Sequence, residues 1–307
     1  MLSVAARSQA GGPKKANQDR FYINKEKAIF AVLDGHGSQG GLFAEAVVES
    51  FDQTTCKADL FMIAAHGLLS KPHLYDGGTT ATVLTLNEEA GLIVVSAVGD
   101  SDARVWLPRG SVSEPAEKNG YPLNADHSAT SESERKRIME EATVKGLRFL
   151  YDGYASVGPA KDIYSRDLES GEYIKDPKGV YHTTVRGEWA SYVKCPSGEQ
   201  LAVTRAFGDF GMQPYGVSSL ATTEIWPYDC PSAESKGTLS VIIASDGFWD
   251  TVQFEAVGEI VRRPEFLDTA DADAAVAALM EYGMAEGTRN FGSSRDDMTV
   301  MVLYFKA

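Results

Sequence analysis

Three short acidic islands lie far apart in the chain, and each adjoins an apolar, β-branched run that reads as a buried strand. Asp34-Gly35-His36-Gly37 follows residues 29–33, Asp246-Gly247 follows 239–244, and Arg295-Asp296-Asp297 precedes 298–305. A carboxylate at the end of a buried strand is unfavourable unless a cation neutralises it. If one partner serves all three, most simply a pair of hard divalent cations, the fold must bring both ends of the chain to one place. Such a site points to a metal-dependent hydrolase.

The 307 residues are 43% hydrophobic and 23% charged, which suits an ordinary folded core rather than disorder. The net charge of −14, with no runs of Lys and Arg, argues against nucleic acid and against anionic membrane surfaces as partners. An acidic chain acts on a phosphate only if a bound metal inverts the local field, so the charge balance makes the metal necessary. Cys56, Cys195 and Cys230 are odd in number, widely spaced and without a CxxC pair, as befits idle thiols in a reducing compartment. The first residues lack the apolar core of a leader and no apolar run is long enough to span a bilayer, so a cytoplasmic or nuclear location is expected.

Along the chain the patterns predict strands at 21–24 and 28–33, helices at 42–51 and 58–69, a hairpin of strands 79–86 and 92–98, and a strand at 103–107. Short turns between strands favour an antiparallel meander over βαβ units. Ser131 and Glu134 have capping-box spacing ahead of a charged helix reaching about 142. Residues 146–200 hold Tyr151, Tyr154, Tyr164, Tyr173, Tyr181 and Tyr192 without a lasting period, and read as a long flap with short hairpins. Beyond it come a strand at 201–204, an acidic loop at 224–234, a strand at 239–244, helices at 254–262 and 271–285, and a closing strand at 298–305. Because the islands share one site, residues 1–307 are expected to form a single domain of two sheets and covering helices. The first and last strands should then be neighbours.

Asp-Gly alone is among the commonest turn dipeptides; its repetition beside buried strands, with a histidine after the first, carries the weight. The wider set is specific: Asn17-Gln18-Asp19, Val32-Leu33-Asp34-Gly35-His36-Gly37, Gly78-Thr79-Thr80-Ala81, Val98-Gly99-Asp100-Ser101, Asp126-His127, the run from Leu201 to Asp209, Ala244-Ser245-Asp246-Gly247-Phe248-Trp249-Asp250 and the run from Ser294 to Val300. In content and order these motifs resemble the type 2C protein phosphatases, the metal-dependent PPM family of Ser/Thr phosphatases. The resemblance implies an α+β fold, a four-layer α/β/β/α sandwich of two packed antiparallel sheets flanked by helix pairs. It also implies a binuclear Mg2+ or Mn2+ centre that activates water to hydrolyse phosphoserine and phosphothreonine in proteins, without a covalent phosphoenzyme. Matched by motif, Asp34 would bridge both ions, the Gly35 carbonyl would bind one, Asp246 and Asp296 would hold the other, and His36 would protonate the departing alkoxide.

The chain departs from the family pattern in three places. Lys14, or its neighbour Lys15, stands where an arginine usually grips the phosphate, and lysine offers a point charge without the planar fork. Gln18 replaces a glutamate that contacts metal-bound water, leaving Asp19 as an outer-shell or direct ligand. The flap is longer than usual and is a candidate surface for a phosphoprotein substrate or a regulatory partner. Asp100 and Asp250 match positions of a weaker third metal, Asp100 with a simple turn as its competing role. Thr79-Thr80, Asp126-His127 and 205–209 are expected to be scaffold. A monomer is expected. The alternative to an active enzyme is a pseudophosphatase that binds phosphoproteins, while 35–41 lacks the Gly-Lys-Ser/Thr needed of a nucleotide loop.

Overall fold

The runs at 29–33, 239–244 and 298–305 are apolar at nearly every position rather than at alternate ones, the pattern of strands covered on both faces. They are strands in the computed structural model, which describes residues 2–12, 16–108, 118–153, 160–167, 172–175, 183–227 and 237–306. The strands are β1 (Leu2–Gln9), β2 (Arg20–Asn24), β3 (Ile29–Leu33), β4 (Gly35–His36), β5 (Gly78–Thr79), β6 (Ala81–Asn87), β7 (Leu92–Val98), β8 (Asp102–Trp106), β9 (Tyr121–Pro122), β10 (Arg148–Tyr151), β11 (Lys161–Asp162), β12 (Tyr164–Arg166), β13 (Tyr173–Lys175), β14 (Ser191–Lys194), β15 (Gln200–Leu201), β16 (Phe207–Gly208), β17 (Thr222–Pro227), β18 (Thr238–Ala244) and β19 (Met298–Lys306). Helices are α1 (Gly40–Gln53), α2 (Leu60–Leu69), α3 (Glu132–Glu141), α4 (Asp246–Trp249), α5 (Phe254–Val261), α6 (Pro264–Leu267) and α7 (Ala272–Phe291).

Two five-stranded antiparallel sheets, β1-β19-β18-β8-β9 and β17-β7-β6-β3-β2, dominate the molecule. In β3, Phe30 and Val32 enter a core shared with Val241 and Ile243 of β18 and Met301 and Leu303 of β19. The intervening Ile29, Ala31 and Leu33 pack instead with Phe43 and Val47 of α1 and Leu60 of α2. On the first sheet, Ile242, Val300, Val302 and Tyr304 turn away to meet Val257 of α5 and Val276 and Leu279 of α7. The sheets therefore share one core, and each buries its other face under helices, in a mixed α+β fold. Each of these large side chains is worth about 1.5–3 kcal/mol when buried. A one-residue slip in register would send all of them to the wrong core.

That register places the acidic islands. Ala244 pairs with Val300 on one side and Asp102 on the other, Ala81 with Val98, and Val32 with Thr82. Asp34, Asp100, Asp246 and Asp296 thus all lie just past strand ends, where strands give way to loops.

Several expectations are corrected. The neighbour of the last strand is β1, unforeseen in the sequence, paired from Leu2↔Phe305 to Gln9↔Met298, whereas β3 lies in the facing sheet. The acidic loop at 224–234 begins as strand β17, registered from Thr222↔Ala97 to Pro227↔Leu92; residues 228–236, with Cys230, lie outside the described residues. Only Leu201 of the strand expected at 201–204 lies in β15, and Val203 makes an isolated bridge to Ser128. The capping box does not form: Ser131 makes no side-chain cap bond, and Glu134 turns to Arg205 and Arg137.

The described part of the flap, 146–153, 160–167, 172–175 and 183–200, forms short strands, as the expected hairpins would, and packs into a core of its own. Strands β11-β10-β14-β15 make a sheet whose Phe149, Tyr151 and Val193 pack on Ile138 of α3 and on Ala206 and Met212. Tyr151 is fully buried against Trp189, and Tyr164 meets Phe149 edge-on, so these two aromatics fill a local core rather than display a surface.

Candidate active site

Asp34 leaves β3 in a turn held by neighbouring threonines. Its N–H donates to Thr80 Oγ1 (3.1 Å), while Thr79 Oγ1 and Thr80 N–H donate to its carbonyl (3.0 and 2.8 Å). A glycine must follow, because a Cβ on Gly35 would lie 2.4 Å from the Gly40 carbonyl carbon at the start of α1. Thr80 Oγ1 also bonds Ser101 Oγ (2.8 Å), tying the Asp34 turn to the one bearing Asp100. The Asp100 turn is fixed from the other side by His127, whose Nδ1 accepts from Gly99 N–H (3.1 Å), leaving Nε2–H to donate to Thr222 Oγ1 (2.9 Å). The threonines and His127 thus have the scaffold role expected of them.

Asp246 opens α4 after β18. The preceding Ser245 Oγ donates to Asp19 Oδ2 (2.8 Å) and accepts from Thr299 N–H (3.0 Å), joining β18, β19 and the loop before β2. In the third island the neighbours divide the work. Asp297 is buried and accepts from Gly11 N–H (2.8 Å) and Gln18 N–H (2.9 Å), pinning the segment that leads to Asp19, whereas Asp296 is exposed. Gln18 Nε2 donates to the Gly37 carbonyl (2.9 Å) and so braces the histidine loop. Lys14 and Lys15 lie outside the described residues.

Gln18, Asp34, Gly35, His36, Asp100, Asp246 and Asp296 all line one cleft of about 570 Å³. An adjoining hollow shares Asp100 and Asp246 and adds Asp102, Asp126, Asp250 and Arg186. The carboxylates perturb one another strongly. Burial, with the charges of Asp246 and Asp297, outweighs hydrogen bonds to Asp19 and pushes it up to about 7. Burial and the charges of Asp19, Asp246 and Asp296 raise Asp34 well above the carboxylate range, and burial with Asp246, Asp126 and Asp250 does the same to Asp100. Asp250 is raised by burial and by Asp246, in spite of Arg186, 3.7 Å from its Oδ1.

This environment fits hard divalent cations. The donors are all oxygens, their mutual repulsion is what a cation reverses, and the buried Asp19 Oδ1 has no hydrogen-bond partner among the described residues. Among those residues no three acidic, imidazole or thiol side chains already converge on one point.

Two contributions were missed in the sequence. Asp297 has a structural task distinct from Asp296, and the only clue was its place in the same island. Asp209, grouped with the scaffold, accepts a 2.7 Å hydrogen bond from His36 Nε2. No local pattern signals that pairing, since the partners are 173 positions apart.

The architecture and this cleft define a mixed α+β protein with an acidic, oxygen-lined centre between two sheets. The protein phosphatase 2C profile matches residues 13–145 and 186–292, more than half of the chain, and the chain belongs to that family. The match leaves out 146–185, most of the flap. Among curated relatives, "Probable protein phosphatase 2C 11" of Arabidopsis thaliana is 27% identical over 91% of this chain, and "Probable protein phosphatase 2C 73" of the same plant is 28% identical over 95%. The chain spans 58% of the first relative's length and 76% of the second's. A serine-threonine phosphatase 2C from Toxoplasma gondii shares the fold with a TM-score of 0.64 at 19% identity, covering 99% of this chain and 95% of that one. The catalytic domain of the phosphatase PstP, solved in complex with two manganese ions, matches with a TM-score of 0.53 at 16% identity over 98% of this chain and 97% of its own.

Proposed function

We propose that this protein is a metal-dependent phosphatase of phosphoserine and phosphothreonine in proteins, with residues 1–307 acting as one domain. The observation that carries the reading is the meeting of Asp34, Asp246, Asp296 and His36, from opposite ends of the chain, on one cleft. Asp34, the Gly35 carbonyl, Asp246 and Asp296 would hold two Mg2+ or Mn2+ ions, with Asp19 and Gln18 beside them and Asp100 and Asp250 available to a weaker third. The two manganese ions of the PstP catalytic domain support that assignment. When bound, such ions neutralise charge on the transferring phosphoryl group and lower the pKa of water at the site. The protein's own share is to fix these oxygens, to grip the phosphate through Lys14, and to place His36 where it hands a proton to the departing serine or threonine oxygen.

The test is phosphate release from a phosphoserine peptide and an aryl phosphate in Mn2+, in Mg2+ and in chelator, for wild type and Asp246→Asn. Wild type should turn over only with metal, and the variant should lose at least about 100-fold, more than is usual for an outer-shell change. Turnover that persists in chelator, or none with either metal, would sink the reading; the second result would leave a phosphoprotein-binding pseudophosphatase.

We further propose that the flap at 146–200 selects the protein substrate or a regulatory partner. Its segment around 185–186 is docked beside the cleft: Val185 N–H donates to the Asp250 carbonyl (3.1 Å), Gln253 Nε2 to the Val185 carbonyl (2.8 Å), and Arg186 to the Trp249 and Val252 carbonyls. Shortening the flap should change turnover of a phosphoprotein more than that of the aryl phosphate, and equal loss on both would refute this role.

A further inference from the structure

We propose that Asp209 is a positioning residue for His36: it holds the imidazole by Nε2 and so assigns Nδ1 to the leaving-group oxygen. This rests on the phosphatase reading above and adds to it the identity of the proton-carrying nitrogen and the group that fixes it.

The pair is built by a three-stranded sheet, β16-β5-β4, separate from the two large ones. In it Gly78 stands between two strands, opposite His36 on one side and Gly208 on the other. Imidazole and carboxylate meet over the face of that glycine. A Cβ there would lie 2.2 Å from Asp209 Oδ2 and 2.8 Å from His36 Nε2, so the contact exists because residue 78 has no side chain.

Asp209 is committed to this place. Its backbone is left-handed, with φ of 47°, and is held by N–H donation to the Gly77 carbonyl (2.9 Å) while its own carbonyl accepts from Met212 (2.8 Å). A non-glycine residue in that conformation is uncommon and marks a position the surroundings over-determine. The Asp209 side chain is only 10% exposed and that of His36 26%, so the pair is largely shielded from solvent although both residues border the cleft. This differs from a surface ion pair, in which both partners are solvated and neither is oriented.

A carboxylate oxygen can only accept, so Nε2 must carry the proton in the 2.7 Å bond. Nδ1 makes no hydrogen bond to a described residue and is the nitrogen left for substrate. In the reaction His36 starts as the imidazolium, with a proton on each nitrogen; the P–O bond to the serine oxygen breaks with its electron pair remaining on that oxygen, which takes the Nδ1 proton. The phosphoryl group passes to water, which releases one proton to solvent; the imidazole keeps its Nε2 proton on Asp209, and Nδ1 regains a proton from solvent.

Asp209→Asn is the suitable variant, since asparagine tolerates positive φ better than other side-chain-bearing residues while the acceptor charge is lost. With Mn2+ present, kcat should fall about 30-fold on a phosphoserine peptide, whose alkoxide needs a proton, and only about 3-fold on an aryl phosphate, whose phenolate needs it less, with KM changed less than about twofold. His36→Ala/Asp209→Asn should be no slower on the peptide than His36→Ala alone, because both remove one function. Equal losses on the two substrates, or a further loss in the double variant, would overturn the inference while leaving the phosphatase reading intact. An inactive wild type would overturn both.

Discussion

Glu134 on α3 is a buried carboxylate with Arg205, Arg137 and Thr204 Oγ1 on its oxygens, whereas Asp19, Asp34 and Asp100 are held among other carboxylates where the strands end. Burial works to raise all four. For Glu134 the hydrogen bonds from Arg205 and Arg137 win and bring it down to about 2; for the three aspartates like charges reinforce burial and drive the shift upward. The same functional group thus serves two ends. Where the chain supplies its own cations, the carboxylate ties α3 to the loop after β15; where it supplies none, the fold accepts repulsion that an external cation can relieve.

Removing Glu134 should break the paired region most severely. Glu134→Ala leaves the buried Arg205 without its carboxylate and Arg137 with only Glu141, and about 3–5 kcal/mol of stability should be lost. Denaturant unfolding would show it, equally with and without Mn2+, and a loss that Mn2+ rescues would contradict the division.

Next in size is the effect of acid on His127, which borders the same region. Burial and then the Arg205 charge lower it from 6.5 to about 4, so the folded protein keeps it neutral while the unfolded chain takes up a proton. Its contribution is fully present above pH 6.5 and is lost as pH falls toward 4, about 3 kcal/mol in all. Glu134 acts in the same direction lower down: with its folded value depressed from 4.5 to about 2, its stabilisation is present above pH 4.5 and lost toward pH 2. Unfolding free energy measured from pH 7 to 4 should fall, and His127→Gln should flatten that fall; a flat wild-type profile would be evidence against a neutral buried imidazole.

On the unpaired side, saturating Mn2+ should stabilise the protein by about 2.7 kcal/mol at a hundredfold excess over its dissociation constant. Asp246→Asn should erase most of that gain yet melt no lower than wild type in chelator, because it removes repulsion together with a ligand. Smallest should be Arg186→Ala, which loosens the docked segment of the flap at a cost of under about 1 kcal/mol. Hydrogen exchange at 184–188 would rise if Arg186 is the tether, and unchanged protection would assign that role to Val185 and Gln253.

Much of the scaffold was legible in the sequence. Continuous apolar runs marked β3, β18 and β19, and the breaks after them marked Asp34 and Asp246, because burial on both faces leaves no freedom for polar residues. Less legible were elements whose partners lie far away. Strand β1 is half-buried and mixed in character, and pairing with β19 makes it a strand. Ser131 and Glu134 obeyed a local rule that a buried Arg205, 71 positions beyond Glu134, overrode. The tyrosine-rich flap showed no period because its strands are two to four residues long and its core is closed by α3.

By itself the sequence determined that buried strands would end in carboxylates, because chain composition and strand burial are local properties. Which carboxylates are relieved by arginine and which are left facing one another, and that His36 leans on Asp209 across a bare glycine, only the tertiary structure decided. Those outcomes depend on distances between residues remote in the chain, fixed by sheet register and close packing rather than by any neighbouring residue type.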